Sequence, residues 1–297
     1  MDSLPEKIAE TIPKKIKNRL LPRIIPRLDI KGPNLVKGIH FEGLRVLGKP
    51  WDFAFKYYKE GADELLYMDV VASLYERNSF LDIVDATAKK IFVPFTVGGG
   101  IRTIEDIKKL LRRGADKVAI NTAAVRNPCF ISEAANIFGS QCIVVSIEAK
   151  RGPHGTYEAM TDYGRERSEK DVFLWAKEAV ELGAGELLIT SVDRDGTGNG
   201  FDLELIRKIA TSVSVPVIAA GGAGSAEHVL QVIKEGRADA VASASIFHYL
   251  EYQCDEDKFQ TEGNIEFLKK ASSGRVFMKD RLSPIRIGEL KKLLAEI

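Results

Sequence analysis

Apolar positions along the chain fall into two alternating kinds of stretch. Short runs at Ile24–Ile30, Glu64–Val70, Val93–Val97 and Lys117–Ile120 have the length and β-branched content of buried strands. Ile143–Ile147, Glu186–Thr190, Val215–Ala219 and Ala240–Ala244 complete a set of eight. Between them lie longer stretches such as Thr103–Arg113 and Ala226–Gly236, where apolar residues recur at helical spacing. Regular strand–helix alternation predicts a parallel sheet, because parallel neighbours need a crossover helix. Eight such units in about 230 residues predict an α/β fold of the closed (β/α)8, or TIM-barrel, type. A doubly wound sheet is the alternative, but no GxGxxG follows the first strand.

An internal repeat favours the barrel. PFTVGGGIRTIEDIKKLLRRGADKVAI, from Pro94 to Ile120, recurs as PVIAAGGAGSAEHVLQVIKEGRADAVAS, from Pro216 to Ser243. LLYMDV at Leu65–Val70 echoes LLITSVDRDG at Leu187–Gly196, and RLDIKG from Arg27 echoes SIEAKRG from Ser146. All three pairs share an offset of roughly 120 residues, half a barrel, which predicts two duplicated half-barrels. Two segments fall outside the repeat: a polar extension over residues 1–20, and a polar insertion at about 251–283 within a barrel domain spanning 21–297. A final helix over Ile285–Ile297 has the spacing to close the barrel floor.

Composition narrows the class. Of 297 residues, 45% are hydrophobic and 29% charged, and 43 basic side chains against 42 acidic leave a net charge of +1. Balanced charge removes the electrostatic case for nucleic acid. No apolar run approaches the length of a membrane span, and the first 22 residues have no signal-like apolar core. Cys129, Cys142 and Cys254 match no metal-ligand spacing, so no structural metal is expected and a reduced, cytoplasmic setting is.

In parallel barrels the active site lies at the C-terminal strand ends. Those ends carry two kinds of residue here. Gly99 and Gly100 with Asn121 and Thr122, and Gly221 and Gly222 with Ala244 and Ser245, form two repeat-related sets of small residues. Glycine lets backbone N–H groups approach a ligand, and a following helix N-terminus favours negative charge, so each set suits a phosphate. Two opposed cradles imply a substrate phosphorylated at both ends, though such glycines also serve simply to make tight turns. Asp29 and Glu148 occupy equivalent positions across the mouth, where paired carboxylates suit general acid and base work. Capping a loop, or pairing with Lys31 or Lys150, is the bland alternative.

The runs RIIPRLDIKGPNLVKG, TVGGGIR, GADKVAINTAA, FGSQCIVVSIEAKR, GAGELLITSVDRDGTGNGFD and AAGGAGSAEH together resemble the cyclase subunit of imidazole glycerol phosphate synthase, over about residues 22–250. That resemblance implies a barrel enzyme, a lyase that takes ammonia from a separate glutaminase subunit and needs no cofactor. It would convert a bis-phosphorylated aminoimidazole carboxamide ribotide to imidazole glycerol phosphate. Asp29 would be one catalytic carboxylate, Glu148 the other, and Lys37 would sit on the flexible loop after strand one. Thr190, Asp195 and Gly196 would join the substrate-binding set. Arg23, Glu64, Lys117 and Glu186 match a charged gate through which ammonia enters the opposite end of the barrel, and Asp116 matches a position at the glutaminase interface.

Three departures stand out against the family pattern. Glu148 replaces an Asp, Pro33 and Asn34 replace a turn after strand one, and Ser168–Glu169 replace a Thr-Gly pair after strand five. They cluster at the substrate face, while the gate residues are intact. Two alternatives follow: a paralogue that uses ammonia to amidinate a sugar in surface-glycan synthesis, or a non-catalytic ammonia conduit. A related single-chain sugar-phosphate isomerase would share the repeat but lack the gate.

Overall fold

The computed structural model describes residues 21–71, 77–254 and 281–296. Eight parallel strands form the barrel, at Arg23–Lys31, Leu65–Asp69, Phe95–Gly98, Lys117–Ile120, Ile143–Arg151, Glu186–Ser191, Val217–Ala220 and Ala240–Ser243. Each pairs with the next, and Arg23–Ile25 of the first pair with Ala240–Ala242 of the eighth, so the sheet closes on itself. Every one of the eight expected strands is present, with ends shifted by at most two residues except in the fifth, which runs four residues further, to Arg151.

Period-two alternation sorts the side chains. From the first strand, Ile24, Leu28 and Ile30 face outward into a large apolar layer beneath the helices, while Ile25 faces the lumen. Leu66, Met68, Ala119, Val144, Leu188, Ile218, Ala240 and Ala242 complete an apolar sleeve inside the barrel. The helices follow local rules. At Ile104–Arg112, Thr103 accepts the Asp106 N–H while the Asp106 carboxylate accepts the Thr103 N–H, a capping box that starts the helix. Ile107 and Leu110 then bury its apolar stripe.

The loops after strands one and five are β-hairpins, which the apolar pattern did not reveal. Asn34–Ile39 and Glu42–Gly48 fold back on strand one, with Val36 opposite Asp29. Tyr157–Thr161 and Glu166–Asp171 fold back on strand five, with Met160 opposite Glu148. The last helix, Ile287–Ala295, does not close the floor. Its Ile287, Leu290 and Leu294 join the outer apolar layer, its first N–H is capped by Glu60, and Lys291 reaches Asp63 at 2.6 Å. It therefore packs beside the first helix, Pro50–Lys59, because its apolar stripe needs an apolar partner and the floor is charged. The expected extension over 1–20 and most of the expected insertion over 251–283 lie outside the described residues.

Candidate active site

Strands one and five stand opposite each other in the closed barrel, which places Asp29 and Glu148 face to face at its C-terminal mouth. Both point inward and are buried, at 1% and 4% exposure. Neither pairs with Lys31 or Lys150, which face solvent. Asp29 Oδ1 instead accepts the Arg27 Nε–H at 2.9 Å, and Oδ2 lies 3.9 Å from Lys37 Nζ with no hydrogen bond of its own. Burial alone pushes the Asp29 carboxyl up, but the charges of Arg27 and Lys37 outweigh it and hold the group below its ordinary range. Glu148 has a different neighbourhood. Oε2 accepts the Gly164 N–H at 2.7 Å, and burial pushes the carboxyl up to about 7 against the opposing pull of Arg27.

Arg27 escaped the sequence reading although its position carried a signal. Along RIIPRLDIK, period two turns Arg23, Ile25, Arg27 and Asp29 to the lumen, so an arginine stands directly below the carboxylate. Arg27 is 4% exposed, and its guanidinium reaches Thr190 Oγ1 at 3.3 Å and lies 5.7 Å from the Phe41 ring centroid. Thr190 is fully buried beside Glu148 on strand six. Lys37, expected on a loop, sits on the first strand of the hairpin, where alternation turns it inward to Asp195 Oδ2 at 3.0 Å.

The hairpin tips roof the mouth. His40 and Phe41 at one tip, and Asp162 and Tyr163 at the other, all adopt left-handed backbone conformations. Phe41 and Tyr163 meet with ring centroids 4.3 Å apart, above Met160 and Val192. His40 donates its backbone N–H to Asp195 O at 3.0 Å, and its Nδ1–H to Val192 O at 2.9 Å. Sequence alone offered no signal for this roof, since both tips are built from bulky residues where glycine is usual.

The two glycine turns share one backbone conformation. Gly99, Gly100, Gly221 and Gly222 all have positive φ. A Cβ at Gly222 would lie 2.1 Å from Gly200 O, so the turn demands glycine for packing whatever it binds. Asn121 and Thr122 serve the second hairpin: Asn121 donates to Met160 O at 3.1 Å, and Thr122 Oγ1 accepts the Asp162 N–H at 3.0 Å. Asn121 Oδ1 is buried without a partner. Gly196 packs against Gly38 of the first hairpin, and Ala244 and Ser245 are buried where strand eight meets its helix.

At the opposite end of the lumen the four charged residues form a closed ring. Arg23 binds Glu64 at 2.8 Å and Glu186 at 3.0 Å, while Lys117 binds the same two carboxylates at 2.9 and 3.1 Å. Thr96 Oγ1 donates to the remaining Glu64 oxygen at 2.5 Å. Asp116 lies exposed on the rim, its carboxylate accepting the Phe95 N–H at 2.8 Å, and its repeat counterpart Asp239 does the same for Val217 at 3.0 Å. That shared local task is a structural reason for Asp116. Among the described residues no group of three or more His, Cys, Asp or Glu is placed to hold a metal, and no helix is long and apolar enough to cross a membrane.

A family model described as histidine biosynthesis protein matches residues 23–253, the whole barrel through the helix after strand eight. The chain belongs to this family. Among its relatives is imidazole glycerol phosphate synthase subunit HisF of Legionella pneumophila, 60% identical over 205 residues, covering 69% of this chain and 97% of that one. The subunit of the same name from Geobacillus thermodenitrificans is 53% identical over 230 residues, 77% of this chain and 91% of its own. That of Methanopyrus kandleri is 49% identical over 257 residues, 80% and 94% of the two chains. Within this histidine biosynthesis family the matched region takes in the ring, both glycine turns, both hairpins and the opposed carboxylates. The last helix lies beyond it.

Proposed function

We propose that the chain is the ammonia-using cyclase subunit of an imidazole glycerol phosphate synthase, working in the cytoplasm with a separate glutaminase subunit. The observation that carries this reading is one lumen with two functional ends: a closed charged ring at the floor and two buried, opposed carboxylates at the mouth. Its 60% identity to a named HisF subunit supports the same reading. Ammonia released at the N-terminal face, beside Asp116, enters through the ring of Arg23, Glu64, Lys117 and Glu186 and follows the apolar sleeve to Asp29. A bis-phosphorylated ribotide spans the mouth, one phosphate on the Gly99–Gly100 turn with Asn121 and Thr122, the other on Gly221–Gly222 with Ala244 and Ser245. Lys37, Thr190, Asp195 and Gly196 line the stretch between. Asp29 and Glu148 then exchange protons with the reacting atoms of the substrate.

The test is an assay of the purified chain with ammonium salt and the aminoimidazole carboxamide ribotide. Turnover is expected, and Asp29→Asn should lower it by about 10² or more while the fold persists. A folded, inactive wild-type chain would overturn the reading, and an equally active Asp29→Asn variant would remove Asp29 from the chemistry.

A further inference from the structure

The two half-barrels supply one carboxylate each, but they do not supply it with the same partners. Arg27 lies two residues before Asp29 on strand one, and its repeat counterpart before Glu148 on strand five is Ser146. Both positions face the lumen and both are buried. The guanidinium reaches Asp29 with Nε–H at 2.9 Å, and Lys37 closes on the other oxygen at 3.9 Å. Glu148 makes no ion pair among the described residues, and it accepts a hydrogen bond from the neutral backbone N–H of Gly164. A symmetric pair of acids therefore stands in an asymmetric field: Arg27 acts on both, but only Asp29 takes its hydrogen bond and has Lys37 beside it.

We propose that Arg27 is a positioning residue of the reaction: it commits Asp29 to the ionised form as the base and leaves proton donation to Glu148. This rests on the cyclase reading above. When ammonia adds to a substrate carbonyl, the N–C bond forms and the C=O π pair moves to oxygen. The oxygen takes the proton of Glu148, and the surplus proton on nitrogen goes to Asp29 Oδ2, the oxygen that has no hydrogen bond in the structure. Protonated Asp29 beside a guanidinium then gives its proton up readily, which returns the pair to its starting state through Glu148 or water.

The other charged groups at the mouth leave this division in place. Asp195 acts on Glu148 but is held by Lys37 at 3.0 Å. His248, behind strand one, is fully buried, and that burial pushes its imidazole down to about 3, so it is neutral near pH 7. Tyr163 in the roof is pushed well above its ordinary value by burial and stays neutral too. Arg27 and Lys37 are thus the cations that distinguish the two acids.

The experiment is the pH dependence of kcat for the full chain, with the ribotide substrate and ammonium salt adjusted to constant free ammonia, from about pH 5 to pH 9. Wild type should lose rate above about pH 7 and show no acid limb while it stays folded. Arg27→Met should bring an acid limb into the measured range, lower kcat at neutral pH by about tenfold or more, and change KM by less than about threefold. Arg27→Lys, which keeps the charge, should keep the wild-type profile with a smaller loss. A profile for Arg27→Met that superimposes on wild type, or a loss confined to KM, overturns the proposal. If Arg27→Met fails to fold, carbon-13 titration of the wild-type carboxyls decides: Asp29 must ionise at lower pH than Glu148, and the reverse order overturns the proposal. Should Asp29→Asn and Glu148→Gln both remain active, the catalytic reading itself is wrong. Should both be inactive while Arg27→Met keeps its wild-type profile, only the role of Arg27 is wrong.

Discussion

Glu148 carries a burial cost that Arg27 and the Gly164 N–H relieve only in part. Its carboxyl is raised by burial from 4.5 to about 7, so the folded chain holds a proton that the unfolded chain releases. The folded state therefore gains most below the unfolded value near 4.5, and that advantage disappears as pH rises through 7. A shift of this size corresponds to about 3 kcal/mol lost between the two limits. Glu148→Gln, which cannot ionise but can still accept from Gly164, should thus be more stable than wild type at pH 8 by roughly 2–3 kcal/mol and nearly equal to it at pH 4.5. Urea midpoints at the two pH values measure this, and an equal gain at both would mean the carboxyl does not titrate there. Asp29 works in the opposite sense, since its lowered value contributes stability above the ordinary carboxylate range that is lost on acidification. One buried acid is matched to cations and the other is not.

The two hairpins are the elements that turn an open barrel into a closed site. Gly164 is their meeting point: its N–H holds Glu148, its φ is +74°, and a Cβ there would come within 2.7 Å of the Phe41 ring. Gly164→Ala should force the hairpins apart, raising KM several-fold and lowering kcat, with little change in far-UV circular dichroism. Unchanged kinetics would mean that the roof does not contribute to the reaction. Glu169 gives the converse case within the second hairpin. It carries φ +61° where the family pattern has glycine, and its backbone N–H is already held by Glu158 at 2.9 Å. Glu169→Gly should relieve left-handed strain of about 1 kcal/mol, partly offset by the greater chain entropy of glycine. A small rise in urea midpoint with an unchanged m value is the expected result, and a fall would show that the side chain anchors the strand.

At the scale of the whole molecule, the repeat explains the barrel and its exceptions explain the ends. Glu64 and Glu186 are equivalent residues of the two halves, but Arg23 and Lys117 face Cys142 and Ala240 at the corresponding positions. The ring therefore does not follow the internal repeat: its acids are repeat-related, and its cations are not. Each of its cations binds both carboxylates, so its buried charges are matched, and removing one leaves a charge desolvated and unpaired. Lys117→Ala should cost stability, on the order of 3 kcal/mol at most for so partly buried a cation. It should also impair glutamine-driven turnover more than turnover on external ammonium, because only the first route crosses the floor. Equal losses in both assays would remove the gate from the mechanism.

What the linear pattern determined was everything that depends on period and punctuation. Eight β-branched runs with helical stripes between them specify a parallel sheet buried on both faces, and the half-barrel offset together with the lack of a GxGxxG after the first strand favours closure over a doubly wound sheet. The C-terminal ends of those runs then locate Asp29, Glu148 and the paired glycine turns at one mouth. Period two along RIIPRLDIK also contained Arg27, yet an arginine in a strand reads as a surface residue until the barrel closes around it. Tertiary structure alone decided the rest. The long connections after strands one and five became hairpins because their free edges pair with strand residues already placed by the barrel, at Val36 opposite Asp29 and Met160 opposite Glu148. Side chains with no sequence relation, such as Phe41 and Tyr163 or Lys117 and Glu64, meet because the sheet closes. Which carboxylate is paired with cations was decided last: Asp29 meets both Arg27 and Lys37, and Glu148 pairs with neither. That is a property of distance through space, which no local pattern along the chain encodes.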